Sequence, residues 1–126
     1  MTRTRIERGR AGEEAAAHFL ESRGYEILHR NYRLPLGEID LVARDRNWIV
    51  FVEVKARTGH GYGAPAEAVD GKKQLRMTRA AFAYLAEHRL EGRDCRFDVL
   101  GVLIGSDGRL EIEHLVNAFD MVEPRA

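Results

Sequence analysis

The sequence predicts an α/β sandwich, helices packed on the faces of a mixed β-sheet. Three observations predict it. Two runs rich in Ile, Val, Leu and Phe, Glu38 to Arg44 and Ile49 to Ala56, flank the turn residues Asp45, Arg46 and Asn47. Two stretches, Gly9 to Ser22 and Ala66 to Arg89, carry apolar residues at helical spacing. A second pair of apolar runs follows the second of these. The order is helix, three strands, helix, two strands, and 126 residues suffice for one core but not two. We assign 1–8 to a flexible basic arm, 9–120 to a single domain and 121–126 to a tail.

The first helix is expected to stop at Gly24, a C-terminal cap. On a 3.6-residue wheel Ala15, Ala16, Phe19 and Leu20 form its apolar stripe. Glu13 lies at the edge of that stripe, whereas Glu14 projects outward with His18 and Glu21. Tyr25 to Arg33 reads as a less regular strand at or near a sheet edge. The hairpin follows. Thr58 to Pro65, TGHGYGAP, is a glycine-rich loop in which His60 and Tyr62 could touch a substrate. It is no phosphate cradle, because no helix begins at the right place and no Gly-Lys-Ser/Thr follows. Asp70 should start the main part of the second helix as its N-cap, with Leu75, Thr78, Phe82, Leu85 and Ala86 buried and Gln74 at the edge. Cys95 to Gly105 and Leu110 to Val116 pair around the tight turn Ser106-Asp107-Gly108.

The chemistry concentrates in the central hairpin. Alternation puts Glu38, Asp40 and Val42 on one face and Ile39, Leu41 and Ala43 on the other, with Val50, Val52 and Val54 behind Glu53 and Lys55. A turn centred between Arg46 and Asn47 makes partner numbers sum to 93, setting Asp40 opposite Glu53 and Glu38 opposite Lys55. Like charges directly opposite are unfavourable by up to about 1 kcal/mol. A hard divalent cation relieves this, since Mg²⁺ is typically held by one or two carboxylates and accepts phosphate oxygens as further ligands. Lys55 would then stand beside the attacking water and the phosphate, an arrangement suited to phosphodiester hydrolysis. The plainer alternative is an ion-pair cluster in which Glu38 bonds Lys55 on a solvated face. Against it stands the nearly continuous apolar run Ile49, Val50, Phe51, Val52 and Val54, which implies burial on both faces.

Lys plus Arg and Asp plus Glu number 20 each, so net charge argues for no polyanion partner and distribution decides. Between Lys72 and Arg96 there are seven basic and three acidic residues, and beyond Phe97 two basic and six acidic. That polarity permits one nucleic-acid face. Lys72 and Lys73 in a first helical turn oppose the helix dipole, and phosphate there reverses the sign; Gln74 and Arg76 extend the same segment. Solvated lysines are the alternative. Asp98 reads as a structural acid paired with Arg96 or another base. Cys95 stands alone, which excludes a disulfide framework and a cysteine zinc site and suits a reducing compartment. No apolar stretch follows Arg3, Arg5, Arg8 and Arg10, so no signal peptide or membrane span is expected, and a cytoplasmic protein is. The histidines show no metal-ligand spacing and no nucleophile elbow is present.

Gly-Glu-Ile-Asp at 37–40 followed by Phe-Val-Glu-Val-Lys at 51–55 resembles the Asp and Glu-x-Lys core of the PD-(D/E)XK nuclease superfamily. Within it the chain is most similar to the YraN-like bacterial proteins, themselves similar to archaeal Holliday junction resolvases, over roughly Gly9 to Asp120. Ile39 stands where the superfamily's name places proline. The resemblance implies a restriction-endonuclease-like fold, a Mg²⁺ or Mn²⁺ cofactor held by Asp40, Glu53 and the Val54 carbonyl, and a charge-stabilising or water-orienting Lys55. It adds Glu13, within Gly9-Arg-Ala-Gly12-Glu13, as the helix glutamate that joins the metal site; a first-turn acid complementing the helix dipole is the alternative. It supports Lys73 and Gln74 as the Lys-Gln pair of the second helix. The expected function is metal-dependent hydrolysis of nucleic acid by a cytoplasmic protein, DNA more than RNA, with branched or structured DNA a candidate substrate. A domain this small acting on a two-stranded substrate suits a homodimer. A binding module that keeps the site without cleaving is the competing expectation. A glycosidase-like carboxylate pair is disfavoured by Lys55 and by the lack of a sugar-stacking aromatic cluster.

Overall fold

The computed structural model describes residues 3–58 and 69–121, with side chains from Gly9 onward. The elements are α1 (Arg3–Ser22), β1 (Glu26–Leu34), β2 (Gly37–Asp45), β3 (Trp48–Thr58), α2 (Gly71–Glu87), β4 (Cys95–Ile104) and β5 (Leu110–Phe119). The strands form one five-stranded sheet in the order β1-β2-β3-β4-β5. All neighbours are antiparallel except β3 and β4, which α2 connects as a crossover. The expected α/β architecture is therefore found, with β1 at an edge. Among the described residues no helix is long and apolar enough to cross a membrane.

Each helix closes one apolar face. Ala16, Ala17 and Leu20 of α1 pack with Leu41, Ala43, Val50, Val52, Leu100 and Val102. On the other face Met77, Ala80, Ala81, Tyr84 and Leu85 of α2 meet Val42, Ile49, Phe51, Phe97 and Val99. β3 is thus buried on both sides, as its unbroken apolar run requires.

Three expectations about these elements change. The first helix begins at Arg3, not Gly9; Arg and Glu are strong helix formers, so the basic segment propagates the helix at little cost. The second helix keeps Thr78 and Leu85 inward as expected but completes its buried stripe with other residues. Met77, Thr78, Ala80, Ala81, Tyr84 and Leu85 are buried, whereas Phe82 is 46% exposed and Ala86 lies outside. Close approach is the reason: a Cβ on Gly37 of β2 would collide with the Arg76 carbonyl, and a helix seated that tightly presents alanines to the sheet and turns Phe82 out. The third concerns alternation in β2. Leu41 and Ala43 pack under α1 and Val42 under α2, but Ile39 also joins the α2 side, so the strand rotates at Asp40.

Candidate metal and phosphate site

Strands β2 and β3 part at Asp40. Their ladder runs from Asp45 opposite Trp48 to Leu41 opposite Val52, the expected register. One step further Asp40 comes beside Glu53, and its side chain replaces a backbone acceptor: the Val54 N–H donates to Oδ2 at 2.8 Å. That bond holds the carboxylate against β3 and accounts for the strand's rotation, because the backbone is free to turn where it no longer pairs.

Asp40 and Glu53 are consequently a close acid pair, Asp40 half-buried and Glu53 buried. Glu53 is only 4% exposed. Burial, then the charge of Glu53, raise the Asp40 carboxyl from 3.8 to about 7, although the Val54 N–H and Lys73 oppose the rise. Lys73 supplies the nearest positive charge, its Nζ 2.6 Å from Glu53 Oε2. Burial pulls the Lys73 ammonium down, but the bond to Glu53 and the charges of Glu53, Asp40 and Glu38 outweigh it and hold the group above the ordinary lysine value.

The pair opens into a recess of about 360 Å³ that Glu13, Val54, Lys55 and Lys73 also line. Glu13 reaches it because Gly12 lets α1 sit against β3: a Cβ there would stand 2.6 Å from the Ala56 Cβ. Burial and then the charge of Asp40 raise the Glu13 carboxyl, while a hydrogen bond from Asn31 and the charges of Arg33 and Arg30 partly offset this. Glu14 instead faces outward, paired with Arg30 at 3.0 Å and His18 at 3.6 Å. The wheel separates these adjacent glutamates as expected. Glu13 nevertheless stays apart from the pair as a ligand, for among the described residues no group of three or more His, Cys, Asp or Glu is placed to hold one metal ion. Asp40 and Glu53, with Val54 beside them, are the residues that could hold Mg²⁺ or Mn²⁺, ions that keep several waters.

Lys55 is exposed and makes no ion pair among the described residues. The plainer pairing of Glu38 with Lys55 is not formed: Glu38 lies 3.8 Å from Arg33 Nε, because the rotation at Asp40 carries Glu38 toward β1. On α2, Lys72 is exposed and free to meet a ligand, but Lys73 turns inward. Gln74 donates from Nε2 to the Val69 carbonyl at 3.0 Å, closing the turn before the helix. Arg76 is exposed while its backbone seats α2 against Gly37. Asp70 caps the helix as expected, accepting the Lys73 N–H at 2.9 Å. His60 and Tyr62 lie outside the described residues.

Two contributions escape a reading of the sequence. The Lys73–Glu53 pair joins residues twenty positions apart through the crossover, and only its exposed neighbour Lys72 hints at it. Asn31 has a φ of 54° and sits between the pairs Arg30 with Leu41 and Tyr32 with Ile39, across from Asp40. A left-handed asparagine is the signal that would have marked it.

Asp98 belongs to a separate cluster on the α1 face. Fully buried, it accepts from Arg96 Nε at 3.0 Å and the Asn117 N–H at 2.9 Å, with His114 Nε2 2.7 Å away. Burial alone would push its carboxyl up, but His114, Arg96 and the Asn117 N–H outweigh it and hold it below the usual range. The structural role expected of Asp98 is the one observed.

Residues 12–102 match the uncharacterised protein family UPF0102. A UPF0102 protein of Moorella thermoacetica is 50% identical over 120 residues, covering 94% of this chain and all of the relative. One from Symbiobacterium thermophilum is 53% identical over 111 residues, covering 88% of this chain and 94% of the relative; one from Rhodococcus opacus is 46% identical with the same coverage. The matched span contains Glu13, Asp40, Glu53, Lys55 and Lys73, and on these grounds the chain belongs to the UPF0102 family.

Proposed function

We propose that this protein is a metal-dependent nuclease of the PD-(D/E)XK kind that hydrolyses phosphodiester bonds of nucleic acid, DNA in preference to RNA. The observation that carries the reading is the close Asp40–Glu53 pair, half-buried at Asp40 and buried at Glu53, in which Asp40 is held at about 7 and which opens into a recess with an exposed lysine on its wall. An acid pair in which burial first, and then mutual repulsion, disfavours the second charge is suited to a hard cation. Bound there, Mg²⁺ or Mn²⁺ would supply Lewis-acid polarisation of a phosphoryl oxygen and make water acidic enough to attack.

The residues of the chain divide the remaining work. Asp40 and Glu53 hold the cation, and the Val54 N–H fixes the Asp40 carboxylate in place. Lys55 brings an ammonium to the mouth of the recess, where it stabilises negative charge that develops on the phosphate. Glu13, entering from α1, orients water from the opposite side. Lys72 and Arg76, exposed on the first turns of α2, attract the flanking phosphates. A second reading, a binding module without cleavage, is favoured by one observation: Lys73 already satisfies Glu53 without a metal.

Cleavage of branched, duplex and single-stranded DNA and of RNA, each with Mg²⁺, with Mn²⁺ and with chelator, separates the two. Products that require metal and vanish in Asp40→Ala support the nuclease. A folded protein that binds branched DNA but cleaves nothing with either metal decides for the module.

A further inference from the structure

We propose that Lys73 and a divalent cation compete for the Asp40–Glu53 pair, so that metal entry expels the Lys73 ammonium and makes it a phosphate-binding group. The inference rests on the metal-site reading above and adds to it a coupling between cation and nucleic acid.

Geometry argues for competition. Lys73 Nζ stands 2.6 Å from Glu53 Oε2, inside the recess that the pair opens into. From there its charge acts on Glu53 directly and on Asp40 through space. Ammonium and metal cannot share that position, because two like charges a few ångströms apart repel even in a recess open to water. Either the ion stays out or the lysine leaves.

The fold dictates how it leaves. Asp70 accepts the Lys73 backbone N–H, and the Arg76 carbonyl abuts Gly37, so the first turn of α2 is fixed to the sheet. Withdrawal must occur in the side chain. Lysine is suited to that, with a compact charge on a flexible four-carbon stem, and the Lys73 side chain is already 37% exposed. Swung out, its ammonium joins Lys72 on the exposed start of the helix, where a phosphate also meets the positive end of the helix dipole. Metal thus does two things: it fills the acid pair and completes a basic patch. Linkage makes the effect reciprocal, so phosphate held by Lys73 must strengthen metal binding equally. Lys55 differs, since its side chain is already exposed.

Two measurements on the whole chain test this. Mn²⁺ titration by calorimetry at pH 8 compares the wild type with Lys73→Gln, which keeps the length and polarity of the side chain but removes its charge. Loss of one charge-assisted competitor should tighten Mn²⁺ binding by about tenfold. Acetylation by acetic anhydride, mapped by mass spectrometry on the wild type, should show Lys73 modified several-fold faster at saturating Mn²⁺ than in chelator, with Lys72 unchanged as the internal standard. Equal or weaker Mn²⁺ binding by a folded Lys73→Gln, or Lys73 equally protected with and without bound Mn²⁺, overturns the exchange while leaving the metal site intact. If Lys73→Gln does not fold, the acetylation of the wild type decides alone. A folded wild type that takes up no Mn²⁺ refutes the metal site and this inference together.

Discussion

Replacing Asp40 by asparagine should make the metal-free protein more stable, although the proposed nuclease chemistry centres on Asp40. The substituted side chain would keep an amide oxygen to accept the Val54 N–H and gain an N–H₂ to donate to Glu53, while the repulsion between the two acids disappears. The wild-type carboxyl is moved from 3.8 to about 7, and at 1.36 kcal/mol per tenfold change in proton affinity this is about 4 kcal/mol against the ionised form. Glu53 and Lys73 share in that figure and the recess is open to water, so the variant should gain about 1–3 kcal/mol at pH 8. The sign follows from linkage. Folded Asp40 binds its proton more tightly than unfolded Asp40, so this group's contribution to wild-type stability falls as pH rises from 3.8 to about 7 and stays low above that. The advantage of Asp40→Asn therefore grows over the same window and vanishes near its lower end. Urea unfolding followed by circular dichroism in chelator, at pH 5 and pH 8, measures it; with a slope of about 1–3 kcal/mol per molar the midpoint should rise by roughly 1 M at pH 8. A variant less stable than wild type at pH 8, or one whose difference from wild type is the same at both pH values, would refute the reasoning.

Other predictions concern the scaffold around the pair. Gly37→Ala drives a methyl into the Arg76 carbonyl and should cost about 1–3 kcal/mol in urea unfolding, while displacing Lys73 enough to weaken its protection from acetylation. Asp98→Asn leaves Arg96 and His114 with a neutral partner in a buried cluster and should destabilise by about 3–5 kcal/mol. Because Asp98 is held below its ordinary value, the stability it confers is complete above pH 3.8 and is lost as pH falls below that, so the two proteins should converge in acid. Lys72→Ala should leave stability unchanged and lower the salt dependence of DNA binding by about one counterion; an unchanged slope would make Lys72 a solvated bystander.

What the sequence reveals of this fold depends on how local the cause is. The hairpin register is legible because Asp45, Arg46 and Asn47 can only be a turn and the apolar runs beside them fix the alternation; Leu41 does face Val52. Glu13 and Glu14 part on a helical wheel because the alanines and Leu20 define a single stripe. Nothing equally local defines α2, where Leu75 and Phe82 offer one apolar sector and Met77, Ala80, Ala81 and Tyr84 another. The choice between them is made by a glycine on β2 more than thirty residues earlier. The site divides in the same way. Asp40, Glu53 and Lys55 follow from strand geometry, but the rotation at Asp40 depends on a side chain replacing a backbone acceptor, and the bond from Lys73 to Glu53 on how the crossover returns over β3.

The nuclease reading stands most directly on Lys55. Exposed at the mouth of the recess, it should act on charge present only in the transition state, so Lys55→Ala should bind Mn²⁺ and branched DNA nearly as the wild type does. Single-turnover cleavage of a branched DNA with saturating enzyme and Mg²⁺ measures the chemical step itself. The account predicts a metal-dependent product from the wild type and a rate lower by about 10²-fold or more in Lys55→Ala. Equal rates, or a wild type that binds the DNA and the metal yet yields no product, would contradict it.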